Sequence, residues 1–271
     1  MRSARSPSAS RLSKLKTIRA VVEYDGTDFC GLQWQPAVRS VAGELESALS
    51  VLFDEPVKVT AAGRTDSGVH ATGQVISFKS EKDFPIERLT LALNSKLPSD
   101  LTVREAALVE AGFSARFSAL DRTYIYAVLN RPMPSAMVAR YAYHFYGSLD
   151  LDALGDAAPH FIGERDFRSV CGMLPESGPT IRNVKRLDAR RDGEFVFITI
   201  VADGFLHRMV RNIVGTLLEV GNCRRDASSI PAMLEAKNRE EAGHTAPAHG
   251  LYLAGVQYEN FDSFKAPPVC S

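Results

Sequence analysis

Twice along the chain an alternating, β-branched run gives way to a helical apolar stripe and then to another strand. That repeated order restricts the fold to an α+β architecture. In the first half, "TIRAVVEYDGT" reads as a strand ended by an Asp-Gly turn. "SVAGELESALSVLF" follows, with Leu45, Leu49 and Leu52 at helical spacing and Ser40 placed to cap it. "VKVTAAG" and "QVISFK" are the next strands, with Arg64 to Ala71 as the loop between them. "IERLTLALNSKL" is a helix stopped by Pro98, and "LTVREAALV" is a strand. The second half opens at "RTYIYAVLN", and a weaker helix covers "DLDALGDAAPHFI". Strands "TIRNVKRLDAR" and "EFVFITIVA" flank a hairpin turn at Arg191-Asp192-Gly193. "FLHRMVRNIVGTLLEVG", from Phe205 to a closing Gly221, is the strongest helical pattern, and "LYLAGVQY" is a late strand. The expected organisation is a basic disordered tail over 1–16, an α+β half over 17–120 and a second over 121–271.

Bulk properties exclude several classes of function. No apolar run approaches the roughly 20 residues that span a bilayer, and the basic, Ser-rich start lacks the apolar middle of a secretory signal. Cys30, Cys171, Cys223 and Cys270 form no CxxC pair, so free thiols in a reducing cytoplasm are expected and a zinc site is not. With 32 basic and 32 acidic residues the chain is not uniformly cationic, and any polyanion must be met by local clusters. "TIRNVKRLDARR" is one such cluster, although a solvated strand face explains it as well.

The segment most loaded with chemistry is "AAGRTDSGVHATGQV". A turn accounts for Asp66 and the glycines, but not for Arg64 two residues before Asp66 or His70 four residues after it. A carboxylate beside a guanidinium stays anionic at neutral pH, which makes Asp66 a nucleophile or base. On "DRTYIYAV", Arg122, Tyr124 and Tyr126 share one strand face, which could stack a planar base or simply be half-buried. On the late helix, Arg208, Arg211 and Asn212 cluster beside a wide apolar side, and Gly215 lies one turn on where backbone could approach closely. An arginine so flanked is expensive unless paired, so Arg211 is expected to meet a buried carboxylate. Phosphate-loop, dinucleotide, zinc-protease and serine-hydrolase signatures are absent from the sequence.

"YDGTDFCGLQWQP", "RSVAGELESAL", "GRTDSGVHATGQV", "FSARFSALDRTYIY", "GERDF", "DGFLHRMVRNIVGTLLEVG" and "AGHTAPAHGLYL", in this order, resemble the tRNA pseudouridine synthase A family over about Thr17 to Tyr258. The resemblance implies the pseudouridine synthase fold, two related α+β halves with sheets joined across a central RNA-binding cleft. It implies isomerisation of uridine in the tRNA anticodon stem-loop, without metal or organic cofactor, by a cytoplasmic homodimer. Asp66 falls on the essential aspartate, Tyr124 on the tyrosine that stacks the target base, Arg64 on the arginine of base flipping, and Arg211 on the partner of the carboxylate. Asp66, Arg64 and Arg211 are thus the expected catalytic set, and Tyr124, Arg64, His70 and Arg208 the expected substrate contacts. Attack at C1′, addition at C6 and proton abstraction at C2′ all remain open to an ionised Asp66. A carboxylate-dependent hydrolase and a non-catalytic RNA-binding module are the rival readings.

Overall fold

The computed structural model describes residues 15–270. Most of the basic tail lies outside the described residues, and Lys16, expected to close it, opens the first strand. In chain order the elements are β1 (Lys16–Tyr24), α1 (Val41–Phe53), β2 (Thr60–Ala61), β3 (His70–Ser80), α2 (Ile86–Asn94) and β4 (Leu101–Val109). Then come β5 (Asp121–Leu129), β6 (Tyr143–His144), α3 (Leu151–Ala157), β7 (Gly163–Asp166), β8 (Ile181–Asp192), β9 (Phe195–Ala202) and α4 (Met209–Gly221). The short α5 (Ile230–Glu235), β10 (Leu251–Tyr258) and β11 (Phe261–Asp262) complete the chain.

All the strands belong to one mixed sheet whose main path runs β4-β1-β3-β10-β5-β9-β8-β7. The neighbours along this path are antiparallel except β3 and β10, which run parallel with Tyr252 opposite His70 and Leu253 opposite Ala71. The last long strand is therefore the one that joins the strands of the two halves. Strand alternation sorts the side chains. Tyr24, Tyr124, Tyr126, Val128, Ile198 and Ile200 pack with Leu45 and Leu49 of α1, Leu89 of α2, Leu154 of α3 and Ile213 of α4. Ile125, Ala127, Leu129 and Phe197 point to the other face, against Val138, Tyr141 and Val269.

The local signals act as their chemistry requires. Ser40 is extended at φ −132°, and its hydroxyl accepts from the Gly43 N–H at 3.2 Å, which satisfies an orphan donor of α1. Apolar residues surround α4, and nearly all of it is buried between the sheet, α3 and the loop at 242–246. Gly215 has a definite reason to be glycine, because a Cβ there would stand 1.7 Å from the His244 carbonyl oxygen. The close backbone partner anticipated for it is the protein's own loop.

One boundary differs from expectation with consequences for the site. The helix expected from Phe205 starts at Met209, and Arg208 sits before it in the left-handed region at φ 57°. Gly204 to Arg208 form a non-helical link between β9 and α4, in which Phe205 packs against Tyr124 of β5 and Leu206 is buried. Periodicity cannot separate such a link from a helix turn. The basic run on β8 is neutralised in part: Lys185 pairs with Asp121 at 2.6 Å, Arg186 with Asp188, and Arg190 with Asp192 at 3.3 Å, while Arg182 and Arg191 donate to neutral oxygens. No described helix is long and apolar enough to cross a membrane.

Candidate active site

The loop between β2 and β3 carries Asp66, and its backbone is braced on both sides. Gln74, wholly buried on β3, donates from Nε2 to the Gly63 carbonyl at 2.7 Å and accepts the Gly63 N–H at 3.4 Å. The Tyr24 and Thr65 hydroxyls hydrogen-bond at 2.8 Å in a buried position. Opposite, the Leu32 N–H donates to Thr65 O at 3.1 Å, and the Ser67 hydroxyl to Phe29 O at 3.1 Å. Gly31 has φ +88°, and a Cβ on it would lie 2.8 Å from Thr65 O and 3.3 Å from the Asp66 carbonyl carbon. A side chain there would be strained and would push the aspartate loop. Such bracing holds one carboxyl group in one place.

Asp66 is 27% exposed at its side chain, and Arg211 Nη1 donates to its Oδ2 at 3.0 Å. The same guanidinium donates from Nε to Ala246 O at 2.7 Å, so it is fixed at two points. His207, which was not singled out from sequence, brings Nε2 to 3.9 Å from Oδ1. That is too far for a hydrogen bond. One carboxylate oxygen is therefore tied to a cation, while the other has no hydrogen-bond donor among the described residues. The anticipated partner Arg64 points to solvent, so the guanidinium beside the carboxylate comes from α4, 145 residues away.

Tyr124 forms the wall behind the carboxylate. It is 6% exposed and packs edge-on against Phe205, with centroids 5.0 Å apart at 84°. Its hydroxyl faces Gly63, where a Cβ would sit 3.6 Å away. Burial first, then the neighbouring Tyr24 and Asp66, raise its pKa well above the tyrosine norm, so it is a neutral phenol. The other two residues of that strand face have structural work instead. Tyr126 is fully buried and donates to Pro247 O at 2.8 Å. Arg122 spends its guanidinium on the carbonyls of Ala62, Arg116, Ala119 and Asp203.

Of the remaining expected contacts, Arg208 is exposed, with left-handed backbone and its side chain next to Gly172. Asn212 is fully buried, donating to Val170 O and accepting from Arg239 and Thr245, and offers nothing to a ligand. The remaining expected contact is His70. Its side chain is 2% exposed because strand register turns it inward, where it stacks on Tyr252 at 4.9 Å. Nδ1 accepts the Gly26 N–H at 3.0 Å, and Nε2 donates to Arg140 O at 2.9 Å, so this imidazole ties loops together. Among the described residues no group of three His, Cys, Asp or Glu is placed to hold a metal ion.

Burial lowers the pKa of His70, outweighing the opposing pull of Asp25, and burial lowers that of His249 too. A base whose folded pKa lies below its unfolded value stabilises fully above the unfolded value, about 6.5, and loses that stability as pH falls from there. The expected result is a Tm that declines below about pH 6.5, with a shallower decline in His70→Asn. Calorimetry across the range checks it, and an unchanged slope in the variant would assign the titration elsewhere.

Comparison with known proteins matches the sequence of this chain to one family. The family described as tRNA pseudouridine synthase matches residues 20–118 and 157–259. The tRNA pseudouridine synthase A of Bacillus subtilis is 43% identical over 90% of this chain and 99% of that protein. Its counterpart in Shewanella amazonensis is 44% identical over 92% of this chain and 94% of that protein. A solved structure, that of the archaeal box H/ACA sRNP Nop10-Cbf5 complex, overlays at a TM-score of 0.34, with 15% identity over 74% of this chain and 44% of that one. The family match includes the aspartate loop and α4, and the relatives match over nine-tenths of the chain, so the chain belongs to the tRNA pseudouridine synthase family.

Proposed function

We propose that the protein isomerises uridine to pseudouridine in the anticodon stem-loop of tRNA, with Asp66 as nucleophile, and acts as a homodimer in the cytoplasm. The observation that carries this reading is the division of labour on one carboxylate: Oδ2 held by Arg211 at 3.0 Å, Oδ1 bare of donors, and the Tyr124 ring behind the loop. The reaction breaks N1–C1′, forms C5–C1′ and moves the C5 hydrogen to solvent while N1 gains a proton. It is redox-neutral and exchanges no group, so it asks for an anion, a clamp and a stacking surface. Arg211 supplies charge and orientation without occupying the oxygen that reacts. Arg64 and Arg208 are both exposed and would meet the sugar-phosphate chain, and Arg64 can fill the space an everted base leaves.

Extruding a uridine costs a few kcal/mol, and stacking on an aromatic returns about 1–3 kcal/mol. Tyr124→Phe keeps the ring and removes a hydroxyl that has no hydrogen-bond partner among the described residues, so tRNA affinity should change less than twofold. Tyr124→Ala should weaken it by on the order of tenfold or more. Equal losses, measured by filter binding, would contradict stacking. The activity itself is tested by tritium release from tRNA labelled at uridine C5. Label should appear in solvent while the RNA mass is otherwise retained. Loss of free base from the RNA would instead indicate a hydrolase, and unaltered tRNA a binding module.

A further inference from the structure

The turn at 114–119, between β4 and β5, is held far more tightly than its exposure calls for. The Ser118 N–H donates to Ser114 O at 3.0 Å, and the Ser114 N–H to the Ser118 hydroxyl at 3.1 Å. Ala115 is fully buried: its N–H donates to Ser77 Oγ at 3.0 Å, and its carbonyl accepts from the Tyr258 hydroxyl at 2.7 Å. Arg122 reaches the carbonyls of Arg116 at 2.6 Å and Ala119 at 3.2 Å. From this braced backbone Phe117 stands out with 80% of its surface exposed, and the Arg116 guanidinium lies 5.3 Å from its ring centroid. Isolated exposed apolar side chains are ordinary on proteins. An aromatic carried on a turn tied at both ends and in the middle is a different matter, because its ordering entropy is met before any partner arrives.

The turn is also wired to the candidate site. The Arg122 Nη2 that holds Arg116 O also holds Ala62 O, at 3.1 Å, where the aspartate loop begins. Its Nη1 holds Asp203 O at 2.7 Å, where the chain leaves β9 toward Phe205 and His207. One guanidinium thus sets the platform in register with both walls around Asp66. Arg116 and Arg64 are exposed here, so the surroundings suit a polyanion better than a neutral protein face.

We infer that Phe117 is a second stacking platform, which takes an unpaired RNA base flanking the everted uridine, with Arg116 backing the ring. Aromatic faces hold bases of any sequence, and a cation behind the ring adds to the attraction. This rests on the reading of the site as one that acts on RNA uridine, and it adds where the strand goes on leaving that site.

The test uses an anticodon stem-loop RNA with 2-aminopurine placed on the 5′ or the 3′ side of the target uridine. Binding by wild-type protein and by Asp66→Asn should quench one of the two probes. Phe117→Ala should lose that quench and bind on the order of tenfold more weakly, with an unchanged melting temperature, and Phe117→Trp should restore both. Since the quench is read without turnover, it stands apart from the chemistry assigned to Asp66. Wild-type protein that releases tritium yet quenches neither probe overturns the platform alone. So does Phe117→Ala with quench and affinity intact, or one whose sedimentation shifts to a smaller species, which would make the ring a contact between copies of the chain.

Discussion

Asp66→Asn is expected to abolish tritium release, lowering kcat by a factor on the order of 10⁴ or more, while tRNA binding persists. The substitution is close to isosteric, and its carbonyl oxygen can still accept from Arg211 Nη1, which lies 3.0 Å from Oδ2 in the native site. The bracing from Gln74, Tyr24 and Leu32 acts on Gly63 and Thr65 rather than on the carboxylate, so the loop keeps its shape. What disappears is the negative charge and the nucleophilicity of Oδ1. Removing an anion beside Arg211 also leaves the cleft more positive, so affinity for a polyanion should hold or rise. Asp66→Ala serves as the control. It should be equally inactive but less stable, because Arg211, only 14% exposed, then loses its carboxylate. Asp66→Asn retaining more than about a hundredth of wild-type kcat would reduce the carboxylate to a positioning group and remove it from the chemistry.

What could be read in the sequence follows the range of the forces involved. Strand alternation and helical spacing are local, and they put Tyr124 and Tyr126 on the helix-covered face and Ile125 on the other. Ser40 capped its helix because capping needs only three neighbouring residues. The pairing of β10 with β3, through His70 and Tyr252, carries no local signature, since any buried apolar strand could have stood there. Adjacency along the chain is a poor guide to contact. Arg64 lies two residues from Asp66 yet turns to solvent, while Arg211 comes from 145 residues away. His70 belongs to the motif but sits at the first position of β3 facing inward, where its ring bonds to the Arg140 carbonyl. Phe205 and His207 were not read as site residues because apolar periodicity assigned them to the helix. The one available signal was "DGF", a turn pair ahead of the aromatic.

Arg211→Met should lower kcat by on the order of 10² to 10³, the range seen when one preorganised charge partner is removed from a reacting group. Two effects oppose each other here. Pairing with a guanidinium draws electron density from a carboxylate and so blunts its attack, which predicts that losing Arg211 would help. Against that, the guanidinium is the one charged donor on Asp66 among the described residues, and its second anchor at Ala246 O, 2.7 Å away, stops the carboxylate from turning. The geometry decides in favour of the second effect. The tie is to Oδ2 alone, so the oxygen that reacts is not blunted by a direct hydrogen bond, whereas orientation is lost entirely. Arg211→Lys separates charge from orientation, since one ammonium on a flexible stem cannot hold both acceptors in a fixed fork. It should recover only part of the loss, with KM for tRNA nearly unchanged in both variants because the side chain is largely shielded from a ligand. Full activity in Arg211→Lys would show that charge suffices. A loss below about threefold in Arg211→Met would show that Asp66 reacts without its partner, and the assignment of α4 to the chemistry would fall.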